Sequence, residues 1–300
     1  MPEIFVIGSS NTDMVIKSPK LPAPGQTVLG GEFFMTPGGK GANQAVAAAK
    51  LGGSVSFACK IGDDIFGKQA LAGFKQVGIN TDFILTDPVN PSGVALILVD
   101  GQGENSISVA SGANAGFKIE ELDQVIQKIK KNDIALLQLE IPIDTVEYAI
   151  KSCFEKGSRV ILNPAPAQRI ADTVLKFVHI ITPNETEAEP LTGIKVTDID
   201  TAANAANALL AKGIETVIVT MGAKGAYIHN KSIKRLIASP IVFAVDTTAA
   251  GDVFNGALAV ALTEQDDLEY AVDFACRAAS ISVTRLGAQT SAPLRQELQR

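Results

Sequence analysis

The sequence has no tryptophan, two histidines and three cysteines among its 300 residues, and each scarcity removes a class of chemistry. His179 and His229 cannot furnish a His-rich metal site, so zinc enzymes and Ser-His-Asp hydrolases are disfavoured. Cys59, Cys153 and Cys276 are odd in number and far apart, which predicts reduced, buried thiols and a cytoplasmic protein. No window approaches the roughly 18 continuous apolar residues of a membrane span. The start, Met1-Pro2-Glu3-Ile4-Phe5-Val6-Ile7-Gly8, lacks a basic leader and reads as a first strand, not a signal peptide. A basic surplus is also missing. The chain has 26 Lys and Arg against 32 Asp and Glu, a net charge of -6, which argues against a non-specific nucleic-acid binder. Both common nucleotide fingerprints are absent. Gly39-Lys40 is followed by Gly41 and lacks the earlier glycine of a G-x-x-x-x-G-K-[ST] loop, and Gly8-Ser9-Ser10-Asn11 is not the G-x-G-x-x-G that follows a Rossmann first strand.

What is present is a core-forming chain. At 46% hydrophobic and 19% charged it can bury a sizeable interior, which excludes global disorder. Short apolar or β-branched runs at 4–8, 54–59, 134–139, 159–162, 178–181 and 216–220 show little alternation, as expected of strands covered on both faces. Helical patterns at 42–51, 65–77, 119–129, 145–155 and 202–212 lie between them. Several of these end in a glycine suited to a left-handed cap: Gly52, Gly78, Gly157 and Gly213. The pattern predicts an α/β fold, a doubly wound, mostly parallel sheet with helices on both faces.

Two segments break the alternation. One runs from Asp13 to Thr36, with extended pieces at 15–17 and 26–34 separated by Pro19, Pro22 and Pro24. The other spans Gly93 to Ala110, two strand-like runs joined by the hairpin signal Asp100-Gly101-Gln102-Gly103. Together they suggest a small open sheet that serves as a lid or a dimer surface. No internal repeat, low-complexity tract or interdomain linker is visible.

The sharpest motif is Asp246-Thr247-Thr248-Ala249-Ala250-Gly251-Asp252, leading into an apolar helix. Small residues at 249–251 let backbone N–H groups converge at a helix N-terminus, a natural anion site. A carboxylate there either does proton chemistry or merely caps the helix. In Pro37-Gly38-Gly39-Lys40-Gly41-Ala42-Asn43, glycines around a lysine and an asparagine suggest close backbone approach to a polar ligand, or a tight packing turn with a solvated lysine. Thr182-Pro183-Asn184-Glu185-Thr186-Glu187 either complements a helix dipole or turns Asn184 and Glu187 towards Mg²⁺ waters and phosphate. Thr220-Met221-Gly222-Ala223-Lys224-Gly225 is a hairpin turn or a bed for a nucleotide. Asn11 and Asp13 sit just beyond the first strand, where open α/β sheets bind ligands. His179 is expected at the core or a sheet edge, and His229 at the surface.

In this order the motifs resemble the ribokinase-like family of carbohydrate and nucleoside kinases over essentially the whole chain. Gly8-Ser9-Ser10-Asn11-Thr12-Asp13 resembles its first sugar-contact strand, and Gly38-Gly39-Lys40-Gly41-Ala42-Asn43 its first signature. Gln138-Leu139-Glu140 is similar to the strand carrying the sugar-contacting glutamate, and Asn163-Pro164-Ala165-Pro166-Ala167 follows. Thr182 to Glu187 resembles the magnesium-and-phosphate motif, and Asp246 to Asp252 the second signature.

The resemblance implies one domain over 1–300 with a lid sheet from about 13–36 and 93–110. It implies ATP-dependent phosphorylation of D-ribose at the 5-hydroxyl, with deoxyribose or another pentose as the alternative substrate. Asp252 would be the general base, and Ala249, Ala250 and Gly251 would build the anion hole. Asn11, Thr12, Asp13, Gly39, Lys40, Gly41, Ala42, Asn43, Glu140 and Asp252 would hold the sugar. Asn184, Thr220, Met221, Gly222, Ala223, Lys224, Gly225, Gly251, Asn255 and Cys276 would line the ATP site, with Glu187 ordering Mg²⁺-bound water. Asp246, Thr248, Ser282, Arg285, Gly287 and Ser291 would surround an activating K⁺. A homodimer paired through the lid is implied as well. A sugar-binding protein without turnover is disfavoured, because Asp252 and the small residues before it are intact. Pro190 departs from the pattern and should kink or shorten the helix after Glu187.

Overall fold

The computed structural model describes residues 2–298. Thirteen strands are present: β1 Ile4–Ile7, β2 Asn11–Lys17, β3 Glu32–Gly38, β4 Val55–Gly62, β5 Ile84–Asp87, β6 Gly93–Val99, β7 Asn105–Ala110, β8 Ile134–Leu137, β9 Arg159–Leu162, β10 Ile180–Ile181, β11 Thr216–Thr220, β12 Ala226–His229 and β13 Lys234–Ile237. Nine of them form one sheet in the order β13-β12-β11-β10-β9-β8-β1-β4-β5. The pairs from β11 to β5 are parallel, and β12 and β13 close one edge antiparallel.

Alternate strand residues feed two separate cores. Ile4 and Val6 pack with the helices Lys40–Lys50, Ala250–Glu264 and Leu268–Ser282, whereas Phe5 and Ile7 pack with Ile143–Glu155 and Ile199–Leu210. A strand apolar on both faces can only be satisfied this way, which is why the strand segments show no polar alternation. Because β1 lies between β4 and β8, the winding reverses beside it. Ligands of open α/β sheets bind at the strand C-termini next to such a reversal.

The two exceptional segments meet in a second sheet, of order β3-β2-β6-β7. The extended piece expected at 26–34 begins later, at Glu32, and continues to Gly38. Cross-strand partners assign the faces of this sheet. Val15, Phe34, Ile97 and Ile107 share one face with Asp13, while Ile16, Phe33, Met35 and Leu96 fall on the other. Phe33, Met35 and Leu96 are all more than half exposed. The chain crosses between the sheets at pinned points. Asn114, just after β7, accepts from Ser10 N–H at 2.9 Å and donates to Ser10 O at 3.1 Å and to Asn11 Oδ1 at 2.8 Å. Asp64 accepts from Ser92 N–H at 2.7 Å immediately before β6.

Other expectations are adjusted. The 119–129 pattern splits into a 3-10 turn, Ile119–Leu122, and a short helix, Asp123–Lys128. The helix carrying Pro190 is short, Glu185–Thr192, and ends at Gly193 with φ 74°. His229 is not at the surface: it is 2% exposed, on β12, which is paired on both sides. Burial, with Lys234 nearby, holds its pKa below the ordinary histidine range. His179 is only partly buried, and its Nδ1 accepts from Val160 N–H at 3.0 Å. The three cysteines are buried and free, as expected. Among the described residues no helix is long and apolar enough to cross a membrane.

Candidate active site

Two glycine-bearing contacts place the helix Lys40–Lys50. Gly39 has φ 89°, and a Cβ there would lie 2.7 Å from Asn11 N, so only glycine lets this turn close on β2. At Gly256 a Cβ would lie 2.7 Å from Gln44 O, so glycine lets the helix Ala250–Glu264 press its backbone against Lys40–Lys50. That approach brings Asp252 to the first signature. Its Oδ2 accepts from Asn43 Nδ2 and its Oδ1 from Gln44 Nε2, each at 3.0 Å. Asp252 is 5% exposed.

Asp252 therefore does not cap its helix. The N-cap residue is Ala249, which has no side-chain capping bond and adopts φ 58°. An L-residue in that region costs about 1 kcal/mol or more, a strain the surrounding contacts must hold in place. The turn it creates leaves the N–H groups of Gly251 and Asp252 without a partner among the described residues, while Ala250 N–H donates to Thr247 O at 3.3 Å. Open N–H groups at the start of a 15-residue helix form an anion site.

Most of the expected sugar residues converge beside it. Glu140, following β8, accepts through Oε2 from Ser9 Oγ at 2.5 Å and from Lys40 N–H at 2.9 Å. Gly41 N–H donates to Ser9 Oγ at 3.3 Å and Ala42 N–H to Ser9 O at 2.8 Å, so Ser9 links the first signature to Glu140. Asn11, Thr12 and Asp13 lie on β2 opposite Gly38, Pro37 and Thr36. Asn11 and Asp13 are buried and Thr12, from the opposite face, less so.

Charge is concentrated here. Burial first, then Glu140 and Asp252, pushes Asp13 up to about 6. Burial alone would lower Lys40, but Asp252, Glu140, Glu187 and Asp13 outweigh it and hold the ammonium above its usual range. Asn43 Oδ1 is buried with no partner among the described residues, an acceptor waiting for a donor such as a hydroxyl.

The expected nucleotide residues lie at the next strand ends. Asn184 and Thr220 pair in an isolated parallel bridge, and Thr220 N–H donates to Pro183 O at 2.9 Å. Asn184 caps its own helix through Thr186 and Glu187 N–H, and Glu187 accepts from Asn184 N–H at 3.0 Å. Burial raises the Glu187 pKa, against the opposing pull of that N–H and of Lys40. Met221, Gly222, Ala223, Lys224 and Gly225 form the turn between β11 and β12. Cys276 is buried on Leu268–Ser282 next to Ala226, and its thiol is pushed up to about 12 by burial. Asn255 is 1% exposed, and its amide is committed to Gly251 O and to the Thr182 hydroxyl.

Of the expected cation residues, Asp246, Thr248 and Gly287 are in direct contact, while Ser282 Oγ donates to Ala279 O. Asp246 accepts from Thr248 N–H and Gly287 N–H, each at 2.9 Å. Burial works against its ionised form, but these donors prevail and hold its carboxyl below the usual range. Val245 and Asp246 N–H donate to Val283 O, docking the loop after Ser282 against the irregular segment that leads into the anion turn. Arg285 turns its guanidinium away to Glu297, and Ser291 Oγ donates to Ala288 O at 2.8 Å.

Four partners carry no functional signal of their own in the sequence: Ser9, Gln44, Asn114 and Asn163. A buried glutamine one position after Asn43 carries no local signal, since its contacts come from segments 94 to 208 residues distant.

Comparisons with known proteins fit this geometry. Residues 1–295 match the pfkB family carbohydrate kinase model. A ribokinase of Haemophilus influenzae is 47% identical over 294 residues, covering 98% of this chain and 96% of the relative. A deoxyribokinase of Salmonella typhi is 40% identical, covering 97% of this chain and 95% of the relative. The structure of Arabidopsis thaliana ribokinase complexed with ribose and ATP superposes with a TM-score of 0.93 at 32% identity, covering 99% of this chain and 97% of that one. Because the match runs unbroken through both sheets and both glycine turns, the chain belongs to the pfkB family of carbohydrate kinases.

Proposed function

We propose that this protein transfers the γ-phosphoryl group of ATP to the 5-hydroxyl of D-ribose. The observation that carries the proposal is the placement of Asp252: its carboxylate faces the acceptor-rich pocket, while its own N–H opens into the helix N-terminus. Support also comes from the similarity to ribokinases and to the ribose- and ATP-bound plant structure. The deoxyribokinase relative favours deoxyribose as the second reading. A turnover panel of ribose, deoxyribose, fructose and adenosine separates the readings, and ribose should give the highest kcat/KM.

In this reading Asn11, Asp13, Asn43 and Glu140 hold the sugar hydroxyls, and Lys40 offsets the neighbouring carboxylates of Asp252, Glu140, Glu187 and Asp13. As the 5-oxygen bonds to phosphorus and the bond to the ADP oxygen breaks, the hydroxyl proton passes to Asp252. The N–H groups of Gly251 and Asp252 stabilise charge on the transferring phosphoryl oxygens. A divalent cation carried by ATP would supply the remaining charge neutralisation. Among the described residues no group of three or more His, Cys, Asp or Glu could hold it, so Glu187 and Asn184 would act through its waters and the phosphates. A cytoplasmic location accords with three free thiols.

Asp252→Asn should lower kcat about a hundredfold or more, the expected contribution of a positioned base, with much smaller changes in ribose and ATP affinity. A folded variant that binds both substrates and keeps near-normal kcat would sink the mechanism.

Asp13 generates a pH dependence. An ionised Asp13 accepts sugar hydroxyls and a protonated one accepts less well, so KM for ribose should rise as pH falls through about 6, with KM for ATP little changed. In Asp13→Asn that rise should vanish; its persistence would assign it to another group.

We also propose activation by K⁺ bound by backbone carbonyls of the Ser282–Ser291 loop beside Asp246. A cation there would steady residues 247–251 and so the open N–H groups. Equal rates in K⁺ and in buffer free of Na⁺ and K⁺, with Mg²⁺ saturating, would remove this proposal.

The second sheet suggests a homodimer, because Phe33, Met35 and Leu96 form an uncovered apolar face. Light scattering at micromolar concentration should give twice the 31.4 kDa chain mass; a monomer would count against pairing.

A further inference from the structure

Beneath the anion turn runs a closed circuit of buried polar side chains that the mechanism above does not use. Asn255 Nδ2 donates to Gly251 O at 2.8 Å, and Asn255 Oδ1 accepts from Thr182 Oγ1 at 2.7 Å. Asn163 Nδ2 donates to Thr182 O at 3.3 Å, and Asn163 Oδ1 accepts from Gln44 Nε2 at 2.9 Å. The same Gln44 nitrogen donates to Asp252 Oδ1 at 3.0 Å, and Gln44 Oε1 accepts from Gln138 Nε2 at 2.6 Å. None of the five side chains is more than 6% exposed.

The direction of every bond is dictated by two backbone carbonyls, which can only accept. Gly251 O requires the Asn255 amide nitrogen, so the Asn255 oxygen faces Thr182 and its hydroxyl must donate. That hydroxyl's other acceptor, Leu162 O, is farther, at 3.4 Å. Thr182 O requires the Asn163 nitrogen, so the Asn163 oxygen faces Gln44, which must donate. Both N–H bonds of Gln44 are then spent, one on Asn163 and one on Asp252. Gln44 cannot flip without leaving two oxygens face to face.

The two ends of the circuit meet in one catalytic unit. Gly251 C=O belongs to the same rigid peptide plane as Asp252 N–H, the anion-hole donor. The other end grips the Asp252 carboxylate. We propose that Gln44, Asn163, Thr182 and Asn255 form a positioning belt that holds the phosphate-facing N–H and the proton-accepting carboxylate of Asp252 in fixed mutual orientation. The belt side chains are buried and committed to one another, Asn255 included, and act through Asp252. The proposal rests on Asp252 being the base, which Asp252→Asn tests separately.

Thr182→Val keeps the side-chain shape and removes only the hydroxyl, which breaks the belt two links from Asp252. kcat should fall by roughly tenfold or more, since small misplacements of reacting groups carry such costs. KM for ribose and for ATP should stay within about twofold, the pattern of an interaction felt in the transition state. Thr182→Ser restores the hydroxyl and should restore kcat. Near-normal kcat in a folded Thr182→Val protein, beside an inactive Asp252→Asn, overturns the belt and leaves the base assignment standing. A kcat loss that raises both KM values alike and is not restored by serine is lost packing, and also overturns it. If Thr182→Val does not fold, Gln44→Met decides by the same kcat and KM comparison.

Discussion

A buried carboxylate must be met by donors, and Asp252 is met by two consecutive residues of one helix, Asn43 on one oxygen and Gln44 on the other. Leaving such a group unmatched costs about 1–3 kcal/mol, more when it is charged. The requirement fixes two helix N-termini against each other. One carries the glycine turn with Lys40 and the other carries the open N–H groups. Neither can shift alone without stripping Asp252 of a donor. Gly256 is needed because only a backbone without Cβ permits the approach, and Gly39 because the turn must also reach β2. The Gly39 turn and the Ala249 turn, more than 200 residues apart in sequence, thus become one body.

Around that body the charges are sorted by sign. Asp13, Glu140 and Asp252 gather where a neutral polyol would offer hydroxyl donors, and open N–H groups gather where an anion would sit. Acceptors placed among phosphates would repel them, and N–H donors placed among sugar hydroxyls would leave the acceptors unmet. Asp252 stands at the border between the two regions and contributes to both. The carboxylate crowd is tolerated because Lys40 stands among it. Even so, burial first, and then Glu140 and Asp252, keep Asp13 pushed up to about 6 against the pull of Lys40.

Features set by the backbone were legible in the sequence, and features set by distant side chains were not. Strands β9 and β11 begin and end where apolar runs predict, because a strand buried on both faces writes its own boundaries. Strands β12 and β13 went unread: they are four residues long, and Lys234 and Arg235 interrupt any apolar run. The same omission misplaced His229, whose burial depends on β12 having neighbours on both sides. The small residues of 249–251 announced a tight helix entry, yet could not decide between a capping and a chemical Asp252. Its partners in the fold rule out the cap, and Gln44 stands among alanines in a helix where nothing local distinguishes it from a surface residue. Its meaning comes from Asn163 and Asp252, 119 and 208 positions away.

The second sheet carries the consequence of strand alternation furthest. On β2, Asn11 and Asp13 face inward, and Ile16 falls on the opposite side beside Phe33 and Leu96. One seven-residue strand therefore carries both a buried polar row, Asn11 and Asp13, and an uncovered apolar row. Strands are stiff across their pleat, so whatever covers the outer row restrains the inner one. Asn114 strengthens the link by holding Ser10 and Asn11 at the entrance of this strand from the far end of the returning one. A partner seated on the apolar face would steady Asn11 and Asp13 without touching the pocket. The buried polar row and the uncovered apolar row share a single element, so cover on the outer face would bear on the order of the inner.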